Sequence, residues 1–507
     1  MAFNNLPGFN VVLKDSKMLA PMTTNVVRTE RVLLIGRAED GPIEQIVNVD
    51  RVDVGLKLFG GLSEKTEIGR AIVEAFEGGC NSVSVFRIGA TEATLKIKGK
   101  LESEAETDVI TLVGKGKKYN DYKVEATADK LIVEKDNGVI VNLPYSITDG
   151  TKTTTLTYND FVLMINSADI GLEARLEDSG LAQDPVELVV TPATALTGGL
   201  NGDELSNEDY ITAMEAAYDL LLDYEVDFVV PLGVFVTVSE EESIDPNYAN
   251  AVSLARHCYE SSGRSGMKHG IIAVKPLKDN KLATVAKAVN SLKAGRGNFI
   301  HTDILDDEGL PVDTGSFVSI VFAEPIFNNL NLNAAGATGA VSYAAKLSSL
   351  APESAATNKV FEHMSSLKFQ LSPKQLDDLG ANHIVTFRYK PGRGVVVTDD
   401  VTCAGQYSDY TQLSTVRIVN AAVNLVKSVC DPYIGEAGSP QLFNAMNTAI
   451  ESALSSMKAA GALVDFKFAV IADPVMLARG QASVVLQLVP AFELRQITTV
   501  VRINATL

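Results

Sequence analysis

Alternation of apolar and polar positions marks both ends of the chain. Within VVLQLVPAFELRQITTVVRINATL, Ile497, Thr499, Val501 and Ile503 point one way and Thr498, Val500, Arg502 and Asn504 the other. That period of two predicts a strand. The obvious local partner is the run Val484 to Val489, joined through PAFEL, so one edge of the strand lacks a partner for its backbone groups. Near the start of the chain, Phe9, Val11 and Leu13 share a face in a strand without a domain of its own, and KMLAPMTTN reads as linker.

From Val26 the pattern changes. RTERVLLIGRAEDGP predicts a buried strand ending in a Gly-rich turn, EIGRAIVEAFEGG a helix and SVSVFRI another strand, the β-α-β order of a layered α/β sheet. Between about Thr91 and Thr194 come short alternating runs, TLKIKGKL, DVITLV, YKVEATA, KLIVEKDNGVIVNL and VELVV. With Asp136-Asn137-Gly138 as a hairpin turn, they predict an inserted all-β domain of sandwich type. The α/β pattern then resumes: NEDYITAMEAAYDLLLDY is helical, with Tyr210, Met214, Ala217, Leu221 and Leu222 on one stripe, and VDFVVPLGVFV follows as a strand. Further units appear at NYANAVSLARHCYESSG, HGIIAVKP, KLATVAKAVNSLKAG and FVSIVFAEP. After about Thr386 two long helices are predicted, the second with Leu442, Phe443, Met446, Ile450, Leu454 and Met457 at helical spacing and extending to Leu463. The closing strands come last.

The chain of 507 residues suggests about three domains. The expected division is an N-terminal arm and linker over 1–25, an α/β domain over 26–90 and 195–385, an inserted β-sandwich-like domain over 91–194, and a C-terminal α+β domain over 386–507. Its C-terminal arm begins at about 494. A hydrophobic fraction of 46% with 21% charged residues is that of a folded chain. A net charge of −19 argues against direct binding of nucleic acid. The longest apolar run, FVVPLGVFVTV, contains a proline and is too short to span a bilayer, so no membrane insertion is expected. MAFNNLPGFNVVLKDSK lacks a basic segment followed by an apolar one, so synthesis in a cytoplasm is expected.

Candidate chemistry is sparse. Gly36 and Gly41 have the wrong spacing for a dinucleotide turn, and GKGKKYN lacks the P-loop arrangement. The histidines, His257, His269, His301, His363 and His383, form no metal-type pair, and no G-x-S-x-G elbow occurs. No catalytic, cofactor-binding or metal-ligating residue is assigned. A triad assembled from distant residues keeps an α/β hydrolase-like enzyme as the rival of another class. Cys80, Cys258, Cys403 and Cys430 are expected as free thiols, with a bridge between copies left open. Between Asn201 and Asn250 stand 13 acidic residues and no Lys or Arg. They read as a solvated helix face with an acidic loop, or as a patch for a basic surface on another copy. The candidates for that interface are Asp203, Glu204, Glu208, Asp209, Glu240, Glu241 and Glu242.

Several stretches together resemble the tail sheath protein of contractile-tailed bacteriophages and related injection machines. They are VLLIGRAEDGPIEQIVNVDRVDVGLKLFGG, ALTGGLNGDELSNEDYITAMEAAYDLLLDYEVDFVVP, AVSYAAKL, LSPKQLDDLGANHI, STVRIVNAAVNLV, PYIGEAGSPQLFNAMNTAIESAL and LVPAFELRQITTVVRI. The match is in their order and covers nearly the whole chain. One departure is Val401-Thr402, where many members carry Arg-Thr.

The resemblance implies a multidomain α/β and α+β protein. Its parts would be a subtilisin-like α/β domain without a protease triad, an inserted all-β domain on the outside, and a C-terminal α+β domain nearest an inner tube, with the helix Leu442 to Leu463 close to it. It implies no enzymatic activity, no cofactor, and a place in a virion tail. The partners it implies are the chain itself in helically stacked hexameric rings, an inner tail tube protein, and baseplate and tail terminator proteins. The nearest alternative is the sheath of a phage-tail-like bacteriocin or secretion and injection particle. It further implies that both ends, through Phe9, Val11, Leu13, Ile497, Thr499, Val501 and Ile503, add strands to neighbouring copies. Ordering a residue costs about 1–2 kcal/mol of backbone entropy, so a lone arm stays loose. Burial of Ile497, Val501 and Ile503 returns roughly 1.5–3 kcal/mol each once a neighbour's edge is met.

Overall fold

The computed structural model describes residues 30–495 apart from 101–105, 137, 150–151, 169, 239–245, 307–308 and 335. The expected arm residues Phe9, Val11, Leu13, Ile497, Thr499, Val501 and Ile503, and the acidic residues Glu240, Glu241 and Glu242, lie outside the described residues. The chain divides into two units. One takes Val73–Val83 and the chain from Glu215 onward, with the stretch up to Leu34; the other takes Ile35–Ile72 and Ser84–Met214.

In the first unit, Phe228–Pro231, His269–Val274, Val318–Phe322 and Ile384–Lys390 lie side by side as parallel strands. Gly394–Val397 folds back antiparallel on the last of them, Phe387 opposite Val397. Every residue of the first three strands is buried, as parallel strands covered on both faces must be, which is why they read as unbroken apolar runs. The helices Ala249–Ser262, Leu282–Leu292, Ala340–Ser348 and Pro373–Ala381 fall between them along the chain. The run VDFVVPLGVFV is not one strand as expected. It breaks after Pro231, turns at Gly233 with φ at +71°, and returns as the short strand Phe235–Val236 beside Ala273 and Val274. Proline removes a ladder donor and glycine accepts the left-handed turn.

Two helices follow, Leu413–Cys430 and Pro440–Ala460. The second starts where the Ser439 side chain accepts the Leu442 N–H at 3.2 Å and Pro440 occupies the first turn. It stops at Ala460, not at Leu463 as the spacing predicts. Gly461 adopts φ of +88° and donates its N–H to Met457 and Lys458 carbonyls, a left-handed cap that a side-chain pattern does not reveal. Leu463 instead opens the strand Leu463–Ile471.

Besides the short pair Ser146–Asp149 and Lys152–Thr155, the second unit carries two antiparallel sheets. Leu172–Leu176, Glu106–Gly114 and Ala93–Lys100 form one; Thr191–Ala195, Tyr122–Ala126, Lys130–Lys135 and Gly138–Pro144 form the other. Ile97, Leu112, Val124 and Val133 share a core between them. The hairpin turn predicted at Asp136 is present, with Lys135 opposite Gly138. Two expectations need correction. The region is not purely β, because Tyr158–Ser167 is a helix that Thr157 caps by accepting the Asp160 N–H and that buries Tyr158, Phe161 and Ile165. VELVV contributes an isolated bridge, Leu188 to Gly99, and no regular strand.

One buried ion pair fastens the beginning of the described chain. Arg417, its side chain 2% exposed, donates from Nε and Nη2 to Glu30 Oε2 at 3.1 and 2.8 Å. Nη2 also reaches the Leu347 and Leu350 carbonyls at 3.0 and 2.7 Å, and Nη1 the Ser354 carbonyl at 3.0 Å. The guanidinium therefore neutralises a buried carboxylate and satisfies carbonyls at and beyond the end of Ala340–Ser348. Arg417→Ala is expected to destabilise this unit by about 3–5 kcal/mol, because Glu30 loses its buried counter-charge. Urea unfolding read with hydrogen exchange of Leu413–Cys430 measures this; an unchanged midpoint contradicts the assignment.

Candidate assembly interface

Among the described residues the C-terminal sheet has two strands. Leu463–Ile471 and Ser483–Pro490 pair antiparallel, Phe466 opposite Leu488, Phe468 opposite Leu486 and Val470 opposite Val484. Among the described residues no third strand joins either edge. Phe466, Phe468, Val470, Val484, Leu486 and Leu488 face Ile418, Ala422, Ile450 and Leu454 of the two helices. These inward strand residues are nonetheless only half-buried, and on the other face Asp465, Lys467, Val485 and Gln487 are exposed. A two-stranded hairpin is marginal alone, and among the described residues both edges lack a strand to pair their N–H and C=O groups. Two packed helices, each about 10 Å across, present a layer about 20 Å wide. Two strands about 4.8 Å apart cover roughly half of it. There is room for about one more strand on each side.

The chain leaves this hairpin through Ala491 to Arg495, and charged contacts hold that exit. Arg495 pairs with Asp399, and with Glu493 at 3.2 Å. Asp400, fully buried, accepts from the Tyr343 hydroxyl and from the Ala356 N–H at 2.8 Å. Burial, with Asp400 and Asp399 nearby and Arg495 opposing, pushes the Glu493 carboxyl up to about 7. The roots of both expected arms are thus fastened ionically, at Glu30 to Arg417 and at Arg495 to Asp399.

The acidic candidates are dispersed. Asp203 lies 3.7 Å from Lys65, and Glu204 is bonded to Lys117. Asp209 exchanges hydrogen bonds with Ser206 at the start of Asn207–Leu220, at 2.7 and 3.1 Å, while Glu208 is exposed. Three of these four therefore serve their own chain. The contacts of Arg417 and Glu493 are not visible in the sequence, since their partners lie 387 and about 93 positions away; only an arginine in an apolar stripe hints at the first.

Three histidines meet hydroxyls, which is where nucleophilic chemistry would sit. His269 Nε2 is 2.9 Å from Ser319 Oγ, which donates to the Val401 carbonyl at 2.7 Å. His363 Nε2 is 2.9 Å from Ser342 Oγ, which donates to Glu74 at 2.6 Å. His301 Nε2 is 3.0 Å from Thr314 Oγ1, which donates to the Phe299 carbonyl at 3.3 Å. A hydroxyl has one proton. Each is already given elsewhere, so each ring nitrogen is the donor and cannot take a proton from its partner as a triad base does. Burial holds His269 down to about 3 and His363 to about 4. All four cysteines are free and buried, and burial pushes the Cys403 and Cys258 thiols up to about 12, which makes them poor nucleophiles. Among the described residues no group of three or more His, Cys, Asp and Glu could hold a metal, and no helix is long and apolar enough to cross a membrane.

Comparison with solved structures decides the fold. The sheath tail protein Lin1278 from Listeria innocua superposes with a TM-score of 0.54 at 12% identity, covering 92% of this chain and 96% of that one. The contracted helical sheath of the anti-feeding prophage gives 0.51 at 12% identity, covering 99% of both chains. The fold is that of contractile sheath proteins. The contracted PVC sheath of an extracellular contractile injection system also gives 0.51, at 11% identity and 99% coverage of both chains. No protein-family model and no curated protein matches the sequence.

The exit clasp makes the root of the sheath-fold hairpin sensitive to pH. The carboxyl of Glu493 is raised above its ordinary value, so its contribution is fully present below about pH 4.5 and is lost as pH rises through about 7, when a new charge forms beside Asp399 and Asp400. Hydrogen exchange over 488–495, corrected for its intrinsic pH dependence, is expected to accelerate between about pH 5 and 8, and Glu493→Gln to flatten that profile. A profile that Glu493→Gln leaves unaltered refutes this.

Proposed function

We propose that this chain is the structural subunit of a contractile sheath. The observation that carries the reading is the C-terminal sheet, two strands wide over a helix layer about four strands wide, with both edges open among the described residues. The sheath fold over nearly the full length of the chain supports it. In this reading the residues Phe9, Val11 and Leu13 of one neighbour and Ile497, Thr499, Val501 and Ile503 of another complete the sheet. Folding of the arms is coupled to assembly.

The parallel sheet acts as a subtilisin-like scaffold with no catalytic role, residues 91–194 form an outer insertion, and 386–507 form the part nearest an inner tube. The lattice of copies surrounds that tube and is capped by baseplate and terminator proteins. Flexible arms keep copies joined while their bodies rotate and slide. Work comes from the difference in free energy between the extended and contracted lattices. Driving a tube through a cell envelope serves either genome delivery from a virion tail or an injection particle. Sheath folds of both kinds are similar to this chain, a sheath tail protein and the sheaths of injection systems, and genome delivery is the first reading with the injection particle as its alternative.

Removal of 496–507 is expected to leave a folded monomer that no longer builds tubes, seen by circular dichroism, sedimentation and negative-stain microscopy beside the intact chain. Tubes from the shortened chain would reject the arm assignment. An intact chain that forms only small particles, even with its inner tube present, would reject the sheath.

A further inference from the structure

A cleft of about 380 Å³ opens beside the start of the described chain, with Val226, Met267 and Leu425 among its walls. A narrower recess lined by Glu30, Arg417, Asn420 and Ala421 shares Asp227 and Met267 with it, so the two are continuous. All of these residues belong to the first unit. At about 30 Å³ per water the cleft has room for roughly a dozen, which is the scale of a binding pocket and not of a single structural water.

The surroundings point to one occupant. The Arg31 N–H donates to the Asp227 carboxylate at 2.8 Å, and the Arg31 carbonyl accepts from the Asp227 and Phe228 N–H groups at 3.1 and 3.0 Å. The residues before Glu30 therefore reach the body at the end of the sheet where the cleft lies. The helix Leu413–Cys430 is buried at every position from Leu413 to Asn420, but Ala421, Asn424 and Leu425 are only half-buried and Ser428 is exposed. That uncovered half forms one wall of the cleft. In the recess beside Glu30, Asn420 is 9% exposed, and its Oδ1 is a buried acceptor with no donor among the described residues. An unpaired buried acceptor costs about 1–3 kcal/mol, and a backbone N–H passing through the recess removes that cost.

Residues 1–29 lie outside the described residues. Within 18–29 Arg28 is the one charged residue, and Val26 and Val27 are the apolar pair nearest Glu30. Four extended residues reach about 13 Å. The helix rises by about 12 Å from Asn420 to Ser428, so the segment 26–29 is long enough to run from the recess through the cleft. In extended form Val27 and Thr29 share one side, Val26 and Arg28 the other. With Val27 against Met267 and Leu425, Arg28 is left at the rim, where Glu225, Asp227 and Asp431 outnumber the cations Arg31 and Lys427.

We propose that the cleft is the seat of the chain's own residues 26–29, with a backbone N–H of the segment on Asn420 Oδ1, Val27 on the apolar wall and Arg28 at the acidic rim. The free part of the N-terminal arm then ends at Asn25, and KMLAPMTTN, residues 17–25, is where it bends. A pull on the arm is spread over the cleft as well as over the Glu30 to Arg417 pair. The inference concerns a single copy and goes beyond the sheath reading without depending on it.

The test uses the full-length chain as a dilute monomer. Hydrogen exchange, corrected for intrinsic rates, is expected to be about tenfold slower or more at 26–29 than at 17–25, and Leu425→Asp to remove that difference. Val27→Cys with Leu425→Cys is expected to form a disulfide within one copy in oxidised glutathione, and Val11→Cys with Leu425→Cys to form none. The four native thiols are buried and stay out of the exchange. Circular dichroism confirms that each variant is folded. Exchange at 26–29 as fast as at 17–25 overturns the seat. A disulfide that forms only between copies also overturns it and gives the cleft to a neighbour's segment, and equal crosslinking from Val11→Cys overturns it as unspecific contact. Each of these results leaves the sheath reading intact, because none is read on tubes.

Discussion

Every buried or assembled strand must find partners for its backbone groups, and in this chain that requirement is met unevenly. The parallel strands of the first unit meet it inside the subunit, where every residue of His269–Val274 and Val318–Phe322 is buried. The hairpin of Leu463–Ile471 and Ser483–Pro490 does not, because each strand pairs only with the other among the described residues. A layer of two helices beneath it is too wide for two strands. Much of the proposed biology follows from that mismatch, since a sheet that one chain leaves incomplete is a place where another chain can be held.

Fixed roots give the proposed exchange mechanical sense. Arg417 binds Glu30 at the point where the described chain begins, and Arg495 binds Asp399 near where it ends. An arm transmits force only if its base is firm, and a buried guanidinium with five hydrogen-bonding directions resists displacement better than a surface pair. The two roots differ in environment. Arg417 sits fully enclosed, whereas the clasp at Arg495 is half open and contains Glu493, whose protonation changes near neutrality.

The buried His–hydroxyl pairs show why residue types alone do not make an active site. Ser319, Ser342 and Thr314 each stand within 3.0 Å of an imidazole nitrogen. Direction of the proton decides their role. Since each hydroxyl gives its proton to a carbonyl or carboxylate, the pairs satisfy buried polar groups and tie segments together. Ser319 joins a central strand to Val401, and Ser342 joins its helix to Glu74.

The sequence by itself determined the local elements and the absence of familiar motifs. Apolar runs such as HGIIAV marked buried strands, the stripe through Met446, Ile450, Leu454 and Met457 marked a core helix, and Asp136-Asn137-Gly138 marked a hairpin, because these depend on neighbours a few residues away. It missed the end of Pro440–Ala460 at Gly461 and the helix Tyr158–Ser167, where cap geometry and a change of period within a β-rich region overrode the pattern. Only the tertiary structure decided that Glu30 meets Arg417, that Asp203 and Glu204 are engaged by lysines of their own chain, and that the C-terminal sheet is two strands wide among the described residues. Those facts join residues far apart in sequence, and the chemistry of either partner alone does not specify the distance between them.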